Sequence, residues 1–168
     1  RHPSYILQWS LKQYRLNSTD WEPDMSKPKV LFLCTGNSAR SQMAEAFLRR
    51  LGGDRFEVFS AGLEPKEINP FTREVMAEIG YDLAGQRAKA LTEYIGREHF
   101  GYLVTVCGGA EAACPIFPGM GKRLHWPFDD PAAAAGSDDD KRAVFRRVRD
   151  EIQARIRQWL TEVEEYGS

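Results

Sequence analysis

Cys34 and Arg40 are separated by Thr35, Gly36, Asn37, Ser38 and Ala39, and Ser41 follows. These residue types at this spacing can hold a tetrahedral oxyanion and attack it. Gly36 and Asn37 tolerate the left-handed dihedrals that turn successive backbone N–H groups into one concavity. Arg40 offers a planar two-pronged donor to an anion, and a helix starting beside it adds the positive end of its dipole. The same donors stabilise a thiolate, so Cys34 is expected to ionise below the free value of about 8.5. Asn37 is expected to brace the loop and Ser41 to hydrogen-bond the Cys34 sulfur.

Two further cysteines, Cys107 and Cys114, bracket Gly-Gly-Ala-Glu-Ala-Ala and are followed by Pro115. In a helix, at about 1.5 Å rise per residue, their Cα atoms would lie roughly 10 Å apart, beyond the roughly 7 Å limit for a disulfide. Bonding needs the segment to loop or unwind, which Gly108-Gly109 and Cys114-Pro115 permit. Taken alone, the pair reads first as two buried, inert thiols, and a reactive Cys34 beside it turns the reading toward redox chemistry. Asp129-Asp130-Pro131 supplies a carboxylic acid that could donate a proton, although an aspartate pair in a loop is also ordinary turn chemistry. Of the histidines, His2 and His99 lie away from these residues, and His125 is expected to pack or hydrogen-bond structurally.

These groups need elements to carry them. Val30 to Leu33 is a continuous apolar run of the kind buried on both faces of a parallel sheet, and Ser41 to Leu48 is strongly helix-forming. Phe56 to Gly62 alternates as a second strand, and Asn69-Pro70 caps a helix carrying Phe71, Val75 and Ile79 up to Gly80. Ala90 to Phe100 reads as another short helix. Tyr102 to Val106 is a third strand ending at Cys107, and Arg123 to Trp126 a weaker fourth. Ser137 caps a long helix with Asp138 to Asp140 in its first turn and Phe145, Val148, Ile152, Ile156, Trp159 and Val163 as its inner stripe. Strands alternating with helices predict a three-layer α/β/α fold around a central four-stranded parallel sheet. Ligands then bind beyond the strands' carboxyl ends, where Cys34, Cys107 and Asp130 fall.

The chain has 168 residues, 42% of them hydrophobic, a formal charge of −1 and three cysteines. That suits one domain over residues 29–168, with residues 1–28 as an N-terminal extension to which no role is assigned and Met25 as a candidate native start. The extension carries Tyr5, Trp9 and Tyr14, which could dock, and lacks the pattern of a signal peptide. No basic block points to nucleic acid and no apolar run is long enough to span a membrane. An odd, small number of cysteines suits a reducing, cytoplasmic setting.

From about Lys29 to Leu160 the sequence resembles the thioredoxin-coupled arsenate reductases built on the low-molecular-weight protein tyrosine phosphatase fold. The resemblance rests on Cys34-Thr-Gly-Asn-Ser-Ala-Arg-Ser-Gln-Met43, on Cys107 with Cys114-Pro115, and on His125-Trp-Pro-Phe-Asp-Asp-Pro131. It implies that Cys34 attacks arsenate held by Arg40 and the loop from Thr35 to Ser41, with Asp130 protonating the departing oxygen and phosphate as a competitor. It further implies that Cys107 and then Cys114 take over the disulfide, which thioredoxin reduces. No cofactor or metal is expected. Some members bind potassium behind the loop through Asn, Glu, Ser and Asp. Asn37, Glu45 and Ser60 match three of these, and Lys89 stands at the fourth, where it is either a solvated surface lysine or an ammonium that replaces the ion. Several members have Cys where this chain has Ala39, a position outside the relay.

Two other functions compete. A tyrosine phosphatase shares the Cys-x5-Arg loop and the acid, but usually has Pro at the position of Gln42 and Tyr at those of Ala132 and Ala133. A thiolate sensor of zinc or metalloid would leave Arg40 and Asp130 without a task.

Overall fold

The computed structural model describes residues 27–114 and 120–166. The expectations for the N-terminal aromatics, Met25 and Pro115 lie outside the described residues. Strands β1 (Lys29–Cys34), β2 (Glu57–Gly62), β3 (Phe100–Thr105) and β4 (Met120–His125) alternate with helices α1 (Arg40–Leu51), α2 (Pro70–Ala77), α3 (Gly108–Ala113) and α4 (Asp138–Tyr166). The sheet is parallel throughout, in the order β2-β1-β3-β4. A strand in the middle of such a sheet is covered on both faces, which is why Val30, Leu31, Phe32 and Leu33 are all apolar and fully buried.

Register divides the core between the two faces. Leu31 lies beside Phe59 and Leu103, and Val30 beside Val58 and Tyr102. Trp159 of α4 packs on Tyr102 at 5.0 Å and on Phe56 at 5.2 Å between ring centroids, and Trp126 bridges it to Phe32. On the opposite face Tyr94 stands edge-on to Phe59 at 5.4 Å. The result is the three-layer α/β/α arrangement that the alternation of strands and helices predicts.

Element ends follow local chemistry. Asn69 caps α2, its side chain accepting the Phe71 N–H, with Pro70 at the first helical position. Ser137 and Asp140 at the start of α4 form a reciprocal box, each side chain accepting the other's backbone N–H. The inner stripe of α4 is buried from Phe145 to Trp159, with Val163 half-buried.

The helix expected over residues 90–100 is a correction. Only Leu91–Glu93 is helical, as a single 3-10 turn, Gly96 takes φ +78°, and Phe100 already opens β3. Tyr94 packs on Phe59 and Phe100 of the sheet and Leu91 is buried in the core, without a helix of their own. Strands β3 and β4 also begin two and three residues earlier than expected.

Candidate active site

Cys34 ends β1, and the next five residues bend away from the sheet before α1 begins at Arg40. Only one of the two expected left-handed residues uses that conformation, Asn37 with φ +49°. The close approach of the loop to β2 explains Gly62, where a Cβ would lie 2.8 Å from the Thr35 carbonyl oxygen and 2.9 Å from the Asn37 nitrogen. Ala39 precedes α1 without a side-chain cap, so the first N–H groups of the helix keep their donors for the concavity.

Asn37 does brace the loop. Its Nδ2 donates to Ser41 Oγ at 2.8 Å and Ser60 Oγ at 3.0 Å, and its Oδ1 accepts Gln42 Nε2 and the Lys89 N–H. Ser41 is thereby tied to Asn37, and no bond to the Cys34 sulfur accompanies it. Gln42 donates further to the carbonyls of Asn37 and Arg87, bonds that a proline at this position could not make.

Behind the loop, Lys89 Nζ donates to Ser60 Oγ at 3.2 Å and to the Arg87 carbonyl at 2.6 Å, and it lies 3.7 Å from Glu45 Oε1. Both charged side chains are more than nine-tenths buried. Burial pushes the Lys89 ammonium down and Glu45 pulls it back up.

Arg40 closes the other side. Its Nη1 donates to the Phe128 carbonyl at 3.1 Å, its Nη2 lies 3.7 Å from Asp130 Oδ1, and its buried Nε has no hydrogen-bond partner among the described residues. A buried guanidinium nitrogen without a partner costs free energy unless something accepts from it, and an oxyanion would. Asp130 Oδ1 also accepts the Ala132 N–H, which fixes its carboxyl over the loop, whereas Asp129 turns outward to Arg147 at 3.1 Å. Cys34, Arg40, Asp130 and the loop line a cavity of about 170 Å³. Lys66 lines it too, a cation the sequence reading did not single out. Its backbone N–H donates to the Gly36 carbonyl at 2.8 Å. The one signal for it was its place just past the carboxyl end of β2.

All three cysteines are buried thiols. Cys107 caps α3 at one end and Cys114 at the other. Cys107 lies beside Cys34 across the sheet edge, near enough that each thiol shifts the ionisation of the other. Cys107 Sγ also accepts the Ala110 N–H at 3.3 Å and lies 3.5 Å from Thr35 Oγ1. Gly109 permits that contact, since a Cβ there would stand 3.0 Å from Thr35 Oγ1.

The ionisation of Cys34 is tied to that of Cys107. Cys34 is pushed up from its ordinary value, first by the Cys107 thiol and then by burial, against the pull of Arg40 and the Gly36 N–H. Cys107 is pulled well down by the Cys34 thiol and then, against burial, by the Thr35 hydroxyl and the Ala110 N–H. The two thiols titrate as one coupled pair, which gives up its first proton more readily than a free thiol does. As pH falls, the pair should keep one negative charge well below 9.0, the ordinary thiol value. Ultraviolet thiolate absorbance should persist below that pH in the wild type and be lost on Cys107→Ser. Persistence in the variant would place the charge on Cys34 alone.

Cys114 is raised by burial, with Arg123 opposing. His125 Nδ1 is 2.9 Å from Thr105 Oγ1, consistent with its structural reading. Among the described residues no three His, Cys, Asp or Glu side chains gather as a metal set, and no helix is long and apolar enough to cross a membrane.

Residues 29–168 match the family described as low molecular weight phosphotyrosine protein phosphatase. An arsenate reductase of Halalkalibacterium halodurans is 47% identical over 133 residues, 79% of this chain and 95% of that protein. A solved arsenate reductase in its phosphate-binding state superposes with a TM-score of 0.67 at 29% identity, over 81% of this chain and 98% of its own. The thioredoxin-dependent arsenate reductase of Corynebacterium glutamicum gives a TM-score of 0.63 at 27% identity, over 98% of this chain and 77% of its own.

Proposed function

We infer what the site does from the fact that the chain belongs to the low molecular weight phosphotyrosine protein phosphatase family: it is an arsenate reductase, and its three cysteines pass two electrons to arsenic in turn. The observation that carries the residue roles is the convergence of Cys34, Arg40 with its unpartnered Nε, and Asp130 on one small cavity, with the Cys107 thiol beside that of Cys34.

Arsenate enters as an oxyanion and takes the donors of Arg40 and the loop from Thr35 to Ala39. Cys34 gives its proton to Cys107 and attacks arsenic. Asp130 protonates one departing oxygen, which leaves as water, and a Cys34 thiol-arsenate adduct remains. Cys107 releases that proton to water and, as thiolate, attacks Cys34 Sγ. The sulfur–arsenic bond breaks with its electron pair on arsenic, arsenite leaves, and a Cys34–Cys107 disulfide is left. Cys114 attacks Cys107, freeing Cys34 as a thiolate, and a dithiol of the thioredoxin type reduces the Cys107–Cys114 disulfide. Phosphate, with the same tetrahedral charge, competes for the loop.

Asp130→Asn should lower the rate of adduct formation by about 10²-fold to 10³-fold, the usual worth of a general acid. Asp129→Asn, which only loosens Arg147, should change it less than about threefold. Pre-steady-state arsenite release from both variants decides between the two carboxyls, and equal losses would remove Asp130 from the role.

In this reading the Lys89 ammonium supplies the cation behind the loop. Lys89→Met should leave the buried Glu45 with Arg49 at 3.6 Å and the Ser60 hydroxyl at 3.2 Å as its remaining partners, at a cost of about 2 kcal/mol. Thermal unfolding of the wild type should be indifferent to exchanging potassium for sodium at constant ionic strength. A melting temperature that rises with potassium alone would contradict the replacement.

A further inference from the structure

Helix α3 is the part of the relay that has to change shape. Glu111 N–H donates to the Cys107 carbonyl at 3.1 Å and Cys114 N–H to the Ala110 carbonyl at 2.9 Å, so the segment is wound from one cysteine to the other. Seven helical steps separate their Cα atoms by about 10 Å, and a disulfide tolerates about 7 Å. The carbonyls of the last turn have no donor within the helix. Here they are served from outside. Arg123 on β4 reaches over, its Nη2 donating to the Glu111 carbonyl at 2.7 Å and its Nη1 reaching the Cys114 carbonyl at 3.5 Å. The guanidinium is held in place by the Glu111 carboxylate, 3.4 Å from Nε, and that carboxylate is itself bonded by the Thr105 hydroxyl and lies 3.8 Å from His125 Nδ1.

We propose that Arg123, anchored by Glu111, is a positioning residue that clamps the last turn of α3 in the dithiol state and so sets the redox potential of the Cys107–Cys114 couple. The proposal rests on the relay described above. In the exchange step, Cys114 as thiolate attacks Cys107 Sγ, the Cys107–Cys114 bond forms, the Cys34–Cys107 bond breaks, and Cys34 leaves as thiolate with no net gain or loss of electrons. Closing that bond requires α3 to unwind, which pulls the Glu111 and Cys114 carbonyls off the guanidinium. The clamp therefore stabilises the reduced form alone. It opposes disulfide formation while α3 is idle and makes the disulfide, once formed, easier for an incoming dithiol to reduce. The fork matters as well as the charge, because one side chain serves two carbonyls and a carboxylate at once.

The test is an equilibrium titration of the Cys107–Cys114 couple against a reduced and oxidised glutathione buffer, in a Cys34→Ser background so that no other pair contributes. Arg123→Met should shift the equilibrium about tenfold toward the disulfide, which for a two-electron couple is about 30 mV more negative. Arg123→Lys, with charge but no fork, should shift the same way. Glu111→Gln, which leaves the guanidinium but weakens its anchor, should do so by about threefold, and carries the test if Arg123→Met does not fold. An unchanged potential in the variants, a shift toward the dithiol, or full restoration by Lys would overturn the clamp while leaving the relay intact. Failure of the parent to form any Cys107–Cys114 disulfide would overturn the relay itself, and the clamp with it.

Discussion

Cys34→Ser should abolish arsenate reduction, by a factor on the order of 10⁶ and in practice to background, while leaving the loop able to bind the oxyanion. Serine is nearly isosteric with cysteine, and the donors that hold the anion belong to other groups: Arg40 and the N–H groups of the loop and of the uncapped start of α1. What serine cannot do is form a sulfur–arsenic bond and then accept attack by a second sulfur. No route remains by which an electron pair reaches arsenic, so the loss is one of chemistry and not of affinity. Arsenite formation and calorimetric binding of arsenate or phosphate separate the two. Residual turnover above background would show that another residue is the nucleophile.

Arg40→Lys should lower kcat/KM by about 10²-fold to 10³-fold, the scale on which a lost oxyanion donor is felt. The lysine keeps the charge but supplies one mobile ammonium where arginine presents a planar fork. Arg40 makes three separate uses of that plane: Nη1 is spent on the Phe128 carbonyl, Nη2 faces Asp130, and Nε has no partner among the described residues. A lysine cannot hold the Phe128–Asp130 segment and the anion together, so binding should weaken and the acid should lose its register. Both KM and kcat are expected to suffer. A variant with wild-type kcat and only a raised KM would mean that Arg40 binds substrate without stabilising the transition state.

Much of this site is local in sequence, and that part was legible. A run such as Val30 to Leu33 can only be a buried strand, Asn37 can take a left-handed turn, and Asn69-Pro70 announces a helix start; the structure has all three. The misread elements are those whose conformation is set from a distance. Leu91 and Tyr94 have helical spacing, yet Tyr94 packs on Phe59 and Phe100, Leu91 is buried in the core, and Gly96 turns the chain away. The ionisation of the cysteines also depends on a distant contact. The residues around Cys34 argue for a thiolate there, but the pairing of β1 with β3 brings Cys107 alongside, and the two thiols titrate together. Lys66 and Arg123 carry no motif at all. Their importance comes from what folding places next to them.

The most direct test of the relay is a single turnover. The fully reduced protein is mixed with arsenate without added reductant, its thiols are counted, and its disulfides are mapped by mass spectrometry. Loss of two of the three thiols, release of one arsenite per chain and a Cys107–Cys114 link that thioredoxin then reduces is the predicted result. Retention of all three thiols, with turnover of an aryl phosphate in place of arsenate, would contradict it and leave Cys107 and Cys114 outside the chemistry.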